Sequence, residues 1–267
     1  PFPSPCEKCG GLNFLPMGEG TEKLEESLAG EELAGALPPG GRVLRLDRDS
    51  TARPGRMEEI LSAFAHQQAQ VLVGTQMLSK GHHFPNVTLA VIADGDMGLN
   101  MPDYRSAERT FQLLVQSSGR AGRGEKPGRV LIQTRDIGHY CWQFVKTGDY
   151  EGFYEHEIAL RRQRRYPPFV KLALIRISYP WDWKDGQNRV NALASSLRRH
   201  GRELGLTVLG PAPAPLSRIQ GRMRFQCLVK ADTWQNIRMT YALALRDAGT
   251  LPHDMRVSLD LDPVNML

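Results

Sequence analysis

From residue 21 to about 134 the chain alternates amphipathic stretches with short apolar runs. Residues 22–32 are charged and helical in pattern. Residues 57–68 set Ile60, Leu61, Phe64 and Ala65 at the three-and-four spacing of a helix, and residues 105–118 do the same with Ala107, Phe111, Leu114 and Val115. Between them lie RVLRL (42–46), closed by Asp47-Arg48-Asp49, then VLV (71–73), LAVI (89–92) and RVLIQ (129–133). Uninterrupted apolar runs of this length suit a parallel sheet buried on both faces, and their alternation with helices implies βαβ units.

After residue 137 the pattern changes. Residues 138–165 read as a mostly helical connector, which the pair Pro167-Pro168 closes. Then come a strand at 171–179, a helix at 187–204, a short strand at 207–209, a strand at 222–230, a helix at 233–247 and a last strand at 256–261. The order β-α-β-β-α-β is that of a split-βαβ sandwich. The expected fold class is α/β with a parallel sheet, followed by a small α+β domain. The expected boundaries are 1–20 for a cysteine-bearing lead, 21–137 for the α/β lobe, 138–168 for the connector and 169–267 for the last domain.

A length of 267 residues agrees with two domains. A hydrophobic fraction of 41% beside 24% charged residues excludes intrinsic disorder. No apolar run approaches the ~18 residues of a membrane span, and no signal peptide opens the chain. Four cysteines are too few for a disulfide framework, so the reading is a cytoplasmic, reducing environment. The first residue is Pro1, which predicts a piece cut from something longer. Charge is uneven: residues 1–137 hold 15 Lys/Arg against 17 Asp/Glu, and residues 138–267 hold 19 against 12. A basic second half points to a polyanion, nucleic acid first.

The chemistry begins with Cys6-x-x-Cys9-Gly10-Gly11, a knuckle that wraps backbone amides around a metal-bound thiolate. Zinc needs four ligands, so this is half a site. Cys141 and Cys227 lie in apolar surroundings and read as core residues. The most informative string is Gln116-Ser117-Ser118-Gly119-Arg120-Ala121-Gly122-Arg123. On a continuing helix Gln116, Arg120 and Arg123 share a face, and two guanidiniums there make a bidentate fork suited to a phosphate chain. Gly119 and Gly122 keep side chains away where a ligand approaches closely. Upstream, GTQMLSKGHHFP (74–85) runs from a buried strand into a polar loop at the carboxyl edge of the sheet, where open α/β sheets bind ligands. There Thr75 would hold a nucleic-acid phosphate and Gly81 would lie close to a nucleotide, while His82 and His83 lack an evident metal partner. Asp94 and Asp96 follow the strand at 89–92 and suit either the same cleft or the capping of local charge.

At these segments the chain resembles a known family. Q-x-x-G-R-x-G-R looks like motif VI of superfamily 2 helicases, and Thr75-x5-Gly81-x-His83 resembles their motif V, with His83 where most carry Asp. GTQMLSKGHHFPNVTL, with RLDRD (45–49), GEGTEKLEE (18–26) and the terminal DLDP (260–263), is similar to the primosomal protein N′ (PriA) family of replication-restart helicases, and the similarity runs along nearly the whole chain. The resemblance implies the carboxyl-terminal half of such a helicase, carrying the second RecA-like lobe. Arg120 and Arg123 would be its arginine fingers on the γ-phosphate of ATP, with Gln116 positioning them. Thr75, Gln76 and Lys80 would couple nucleotide state to DNA, and Cys6 and Cys9 would be the last pair of the zinc sites. ATP with Mg2+ and Zn2+ are the implied cofactors. Forked and single-stranded DNA, single-strand-binding protein and primosome proteins are the implied partners, in a cytoplasmic, nucleoid-associated setting with no membrane.

The sequence contains no G-x-x-x-x-G-K-[ST] loop and no DEAH-like box, so ATP turnover by this stretch alone is not expected. In the basic half, Arg161, Arg162, Arg164 and Arg165 form one cluster, Arg198, Arg199 and Arg202 a second, and Arg218, Arg222 and Arg224 a third. Such clusters bind phosphates without sequence preference, and Tyr166, Phe169 and Phe225 are candidates to stack on bases. For Arg198–Arg202 a solvated helix face explains the pattern equally well. The family's last domain resembles a ribosomal S10-like fold that grips forked DNA. Rival readings are a RecG-like fork-remodelling translocase and a nucleotide-independent docking module for DNA or protein.

Overall fold

The computed structural model describes residues 20–30, 37, 41–75, 78, 84–118 and 127–266. They divide into two compact units, one built from residues up to 150 and the other from residues 151–266 together with 102–104.

In the first unit, helix α1 (Thr21–Ala29) precedes β1 (Val43–Leu46), α2 (Arg56–Ala65) and β2 (Val71–Gly74). β1 and β2 pair in parallel, Leu46 opposite Gly74, so this is one βαβ turn. β3 (Leu89–Ile92), α3 (Asp96–Leu99), α4 (Ser106–Ser118) and β4 (Arg129–Ile132) make a second parallel pair, with Val91 opposite Leu131. Helix α5 (Cys141–Thr147) closes the unit. Its core holds Leu46, Ile60, Val73, Phe111, Leu114 and Cys141. The expectation of burial on both faces fails for the second pair, where Leu89, Val91 and Leu131 are 51%, 60% and 56% exposed. Burial there alternates along each strand, so one face lies open.

The connector expected at 138–168 is two helices. α5 ends at Gly148, whose φ of 68° is the left-handed cap that favours glycine, and α6 (Tyr150–Gln163) begins two residues later. Residues 138–150 belong to the first unit and 151–168 to the second.

The second unit contains β5 (Lys171–Pro180), α7 (Gly186–Glu203), β6 (Thr207–Ile219), β7 (Arg222–Ala231), α8 (Trp234–Ala248) and β8 (Arg256–Leu261). The sheet runs β6-β7-β5-β8 and is antiparallel throughout, the split-βαβ arrangement expected. Alternation along β5 and β7 sends Ala173, Ile175, Ile177, Phe225, Cys227 and Val229 against Val190, Leu193 and Leu197 of α7 and Ile237 and Ala244 of α8. The Tyr179 and Phe225 rings stack at 5.9 Å. A Cβ at Gly186 would lie 2.2 Å from the Tyr179 ring, which is why α7 opens on glycine. Thr233 caps α8 by accepting from the Asn236 amide at 3.2 Å.

The short strand expected at 207–209 is 13 residues long, with register shifts after Leu209 and Pro213. Its prolines at 211, 213 and 215 lack the N–H a central strand needs, but β6 is an edge strand and tolerates them. Phe225 is a correction of another kind. It is 7% exposed in the core and unavailable for stacking on bases.

Candidate functional site

The register of β1 and β2 brings two loops to one carboxyl edge, since Leu46 and Gly74 are directly opposed. The loop after β1 is built around Asp47. Its backbone N–H donates to Ser50 Oγ at 2.8 Å, the Ser50 amide donates to Asp47 Oδ1 at 2.7 Å, and the Thr51 hydroxyl donates to the Asp47 carbonyl. Thr21 at the start of α1 donates to Asp47 Oδ2, and Arg45 spans Asp47, Glu22 and Glu25. Burial pushes the Asp47 carboxyl up, but the Thr21 and Ser50 hydrogen bonds and the Arg45 charge outweigh it and hold it below the usual carboxylate range. A Cβ at Gly74 would sit 2.6 Å from the Leu46 carbonyl oxygen, so only glycine lets the two strands leave the sheet this close. Thr75 follows, exposed, with its carbonyl accepting from the Leu78 amide at 3.0 Å.

At the carboxyl edge of the other pair, Asp94 and Asp96 bind local backbone and side-chain donors. Asp94 Oδ1 accepts from the amides of Asp96 and Met97, each at 3.0 Å, at the start of α3. Asp96 accepts from the Thr134 hydroxyl and the Arg135 amide, both at 2.6 Å, and the Arg135 hydrogen bond, ahead of Thr134's, holds its pKa down. Of the two roles open to these aspartates, capping is the one their partners fill. Gln116 stands exposed in the last turn of α4. Gly119, Arg120, Gly122 and Arg123 lie outside the described residues, as do Gln76, Lys80, Gly81, His82, His83, Cys6 and Cys9. Among the described residues no group of three His, Cys, Asp or Glu side chains is placed to hold a metal.

In the second unit the arginines at the end of α6 part company. Arg161 turns inward, its Nε donating to Glu157 at 3.0 Å and its guanidinium 5.1 Å from the Tyr104 ring centroid. Arg162, Arg164 and Arg165 are exposed, with Arg162 over Phe169 and Arg165 paired to Asp232. Tyr166 is stacked on Tyr104 at 5.2 Å and carries Lys230 3.5 Å from its ring centroid. The Lys230 ammonium donates to the Arg164 carbonyl at 2.9 Å, and burial followed by the Arg165 charge pulls its pKa down. Sequence reasoning missed Lys230 and Tyr104, which lie far from the arginines along the chain. Of the second basic cluster, Arg198 donates to the Gly210 carbonyl and Arg199 to Asp247, which also receives Ser196 and faces His200 Nε2. These contacts make it chiefly an α7–α8 tie, with Arg202 left exposed.

Two family models match, in chain order. Residues 19–125 match the helicase conserved C-terminal domain and residues 162–264 the primosomal protein N C-terminal domain. Along its full length the chain is 40% identical to replication restart protein PriA of Bacillus subtilis. The chain belongs to the PriA family. The PriA of Haemophilus influenzae is 37% identical and that of Treponema pallidum 36%, each over 99% of this chain. The chain spans about a third of the length of these PriA relatives, from 32% to 39%. The two models divide the chain as the structure does, the helicase C-terminal domain in the first unit and the PriA C-terminal domain in the second.

Proposed function

We propose that this chain supplies the second RecA-like lobe and the terminal DNA-gripping domain of an ATP-dependent 3′→5′ DNA helicase, one that restarts stalled replication forks and promotes primosome assembly. The observation that carries the proposal is the match of both units, in order, to a helicase C-terminal domain and the primosomal protein N C-terminal domain. Arg120 and Arg123 would bind the γ-phosphate of ATP with Mg2+, positioned by Gln116, with Gly81, Gly119 and Gly122 allowing the nucleotide to approach. ATP would supply the triphosphate and the free energy of its hydrolysis. Thr75, Gln76 and Lys80 would meet the DNA track in the lobe, and Arg162, Arg164 and Arg165 would meet it beyond, with Arg161 bracing them from within. Cys6 and Cys9 would give zinc two of its four thiolates. Forked and single-stranded DNA, single-strand-binding protein and primosome proteins are the proposed partners, in the bacterial cytoplasm at the nucleoid. Among the described residues no helix is long and apolar enough to cross a membrane.

Arg123→Ala in the full-length protein tests the proposal. DNA binding should persist while ATPase falls by about 10³-fold, the scale of a lost arginine finger. Unchanged ATPase would overturn the assignment. The 267-residue chain by itself should show no ATP turnover, since it lacks the phosphate loop.

A further inference from the structure

The sheet of the second unit has α7 and α8 on one face only. Residues that alternate with the core point to the other face. Toward residue 230 that face is closed, with Leu172 and Leu174 at 1% and 0% exposure and Lys230 reaching the Arg164 carbonyl and the Tyr166 ring. Toward residue 222 it changes character and presents arginines. Ser178 on β5 is flanked in register by Arg224 on β7 and Arg256 on β8. Arg176 and Arg222 share the same face one step to either side.

We propose that this arginine half-face is a binding surface for the phosphate backbone of duplex DNA. This rests on the DNA reading of Proposed function and goes further by naming the face, its residues and the form of DNA.

Charge comes first. Two carboxylates stand close by: Asp260 is bound to Arg176, and Asp254 sits near Arg222. Neither Arg224 nor Arg256 has an ion-pair partner among the described residues; Arg224 donates to the Leu216 carbonyl at 3.2 Å. Arg222 donates to the Ser178 and Asp254 carbonyls, which fixes its guanidinium beside Arg256. Burial and then the Arg256 charge lower its pKa, so the two cations repel across a gap that an anion would relieve.

Geometry decides the form. Arg224 and Arg256 flank Ser178 across two strand spacings, about 10 Å. That is the scale of two phosphate strands beside a minor groove ~6 Å wide. Single-strand binding leans on aromatic platforms, and this half-face offers Ser178, Gln226 and Ser258 between its arginines instead. Trp181, exposed just past β5, already carries the Arg218 guanidinium 4.4 Å from its ring centroid.

The test is the 267-residue chain carrying Arg224→Gln with Arg256→Gln, titrated with salt against a 20-base-pair duplex and a 20-nucleotide single strand. Circular dichroism melting checks the fold. Losing two phosphate contacts should weaken duplex binding roughly 10-fold near 0.1 M salt and flatten the log–log salt slope by about 1.8. Single-strand affinity should barely move. Arg224→Lys with Arg256→Lys should keep most of the duplex affinity, and Arg256→Gln alone, which touches no described hydrogen bond, should flatten the slope by about 0.9 even if the double variant misfolds. Unchanged duplex affinity in folded variants overturns the proposal, as does an equal loss on single strands. If the unaltered chain binds no DNA, the DNA reading falls and this surface with it. Binding that the variants leave untouched overturns the surface alone.

Discussion

The two units use β structure in opposite ways. The second closes a four-stranded antiparallel sheet over two helices, and its central strands are buried on the helix side without interruption. Among the described residues the first holds two two-stranded parallel pairs, and one of them leaves Leu89, Val91 and Leu131 open. Antiparallel hairpins finish their own core, whereas a parallel sheet is buried only when further layers cover both faces. The difference separates a self-sufficient domain from a lobe whose loops are held mainly by polar ties such as those of Asp47 and Asp96.

Removing a side chain from the sealed core should give the largest effect. Leu197 of α7 is fully buried, so Leu197→Ala should cost about 3 kcal/mol in urea unfolding of the second unit. A loss under 1 kcal/mol would mean that this core is not sealed around Leu197. Next is a polar tie in the lobe. Asp96→Ala strands the Thr134 hydroxyl and the Arg135 amide, and should destabilise the first unit by about 2 kcal/mol while leaving the second unit's transition in place. Coincident shifts of both transitions would show that the units do not unfold separately.

Acid should sharpen the contrast further. Hydrogen bonds from Ser196 and His200 lower the Asp247 pKa to about 2. A carboxylate depressed in the folded state contributes its full stability above its unfolded pKa near 4, and loses it as pH falls through the folded value. Asp247→Asn should therefore flatten the pH dependence of α7–α8 stability between about pH 4 and 2, read by circular dichroism. The smallest effect belongs to the open face. Val91→Ser should change stability by no more than about 0.5 kcal/mol, and a larger loss would show that the face is covered in solution.

Much of this was legible in the chain. The β-α-β-β-α-β order, the parallel pairs and the buried Cys141 and Cys227 all follow from periodicity and apolar context. Phe225 misled because an aromatic residue among arginines looks like a stacking platform. Strict alternation with Met223, Cys227 and Val229 turns it inward instead. The same alternation turns Arg222 and Arg224 outward, but their neighbour Arg256 arrives only through the β5–β8 pairing, a long-range register that no local pattern encodes. Lys230 was invisible for the same reason, its ring partner Tyr166 lying across the fold. For β6, the short strand expected at 207–209 stopped ten residues early, because nothing in the local sequence says which strand lies at an edge and can take prolines.

The prolines of that outer strand also shape how the molecule behaves in a crowd. A row of free amide hydrogens along a rim invites a neighbour's strand to zip on, the first step toward fibrils. Here residues 211, 213 and 215 carry no N–H at all, and the strand's register shifts twice along this stretch, so a foreign strand would find fewer donors and no even ladder. Many copies gathered along one polymer can therefore sit side by side without fusing their sheets.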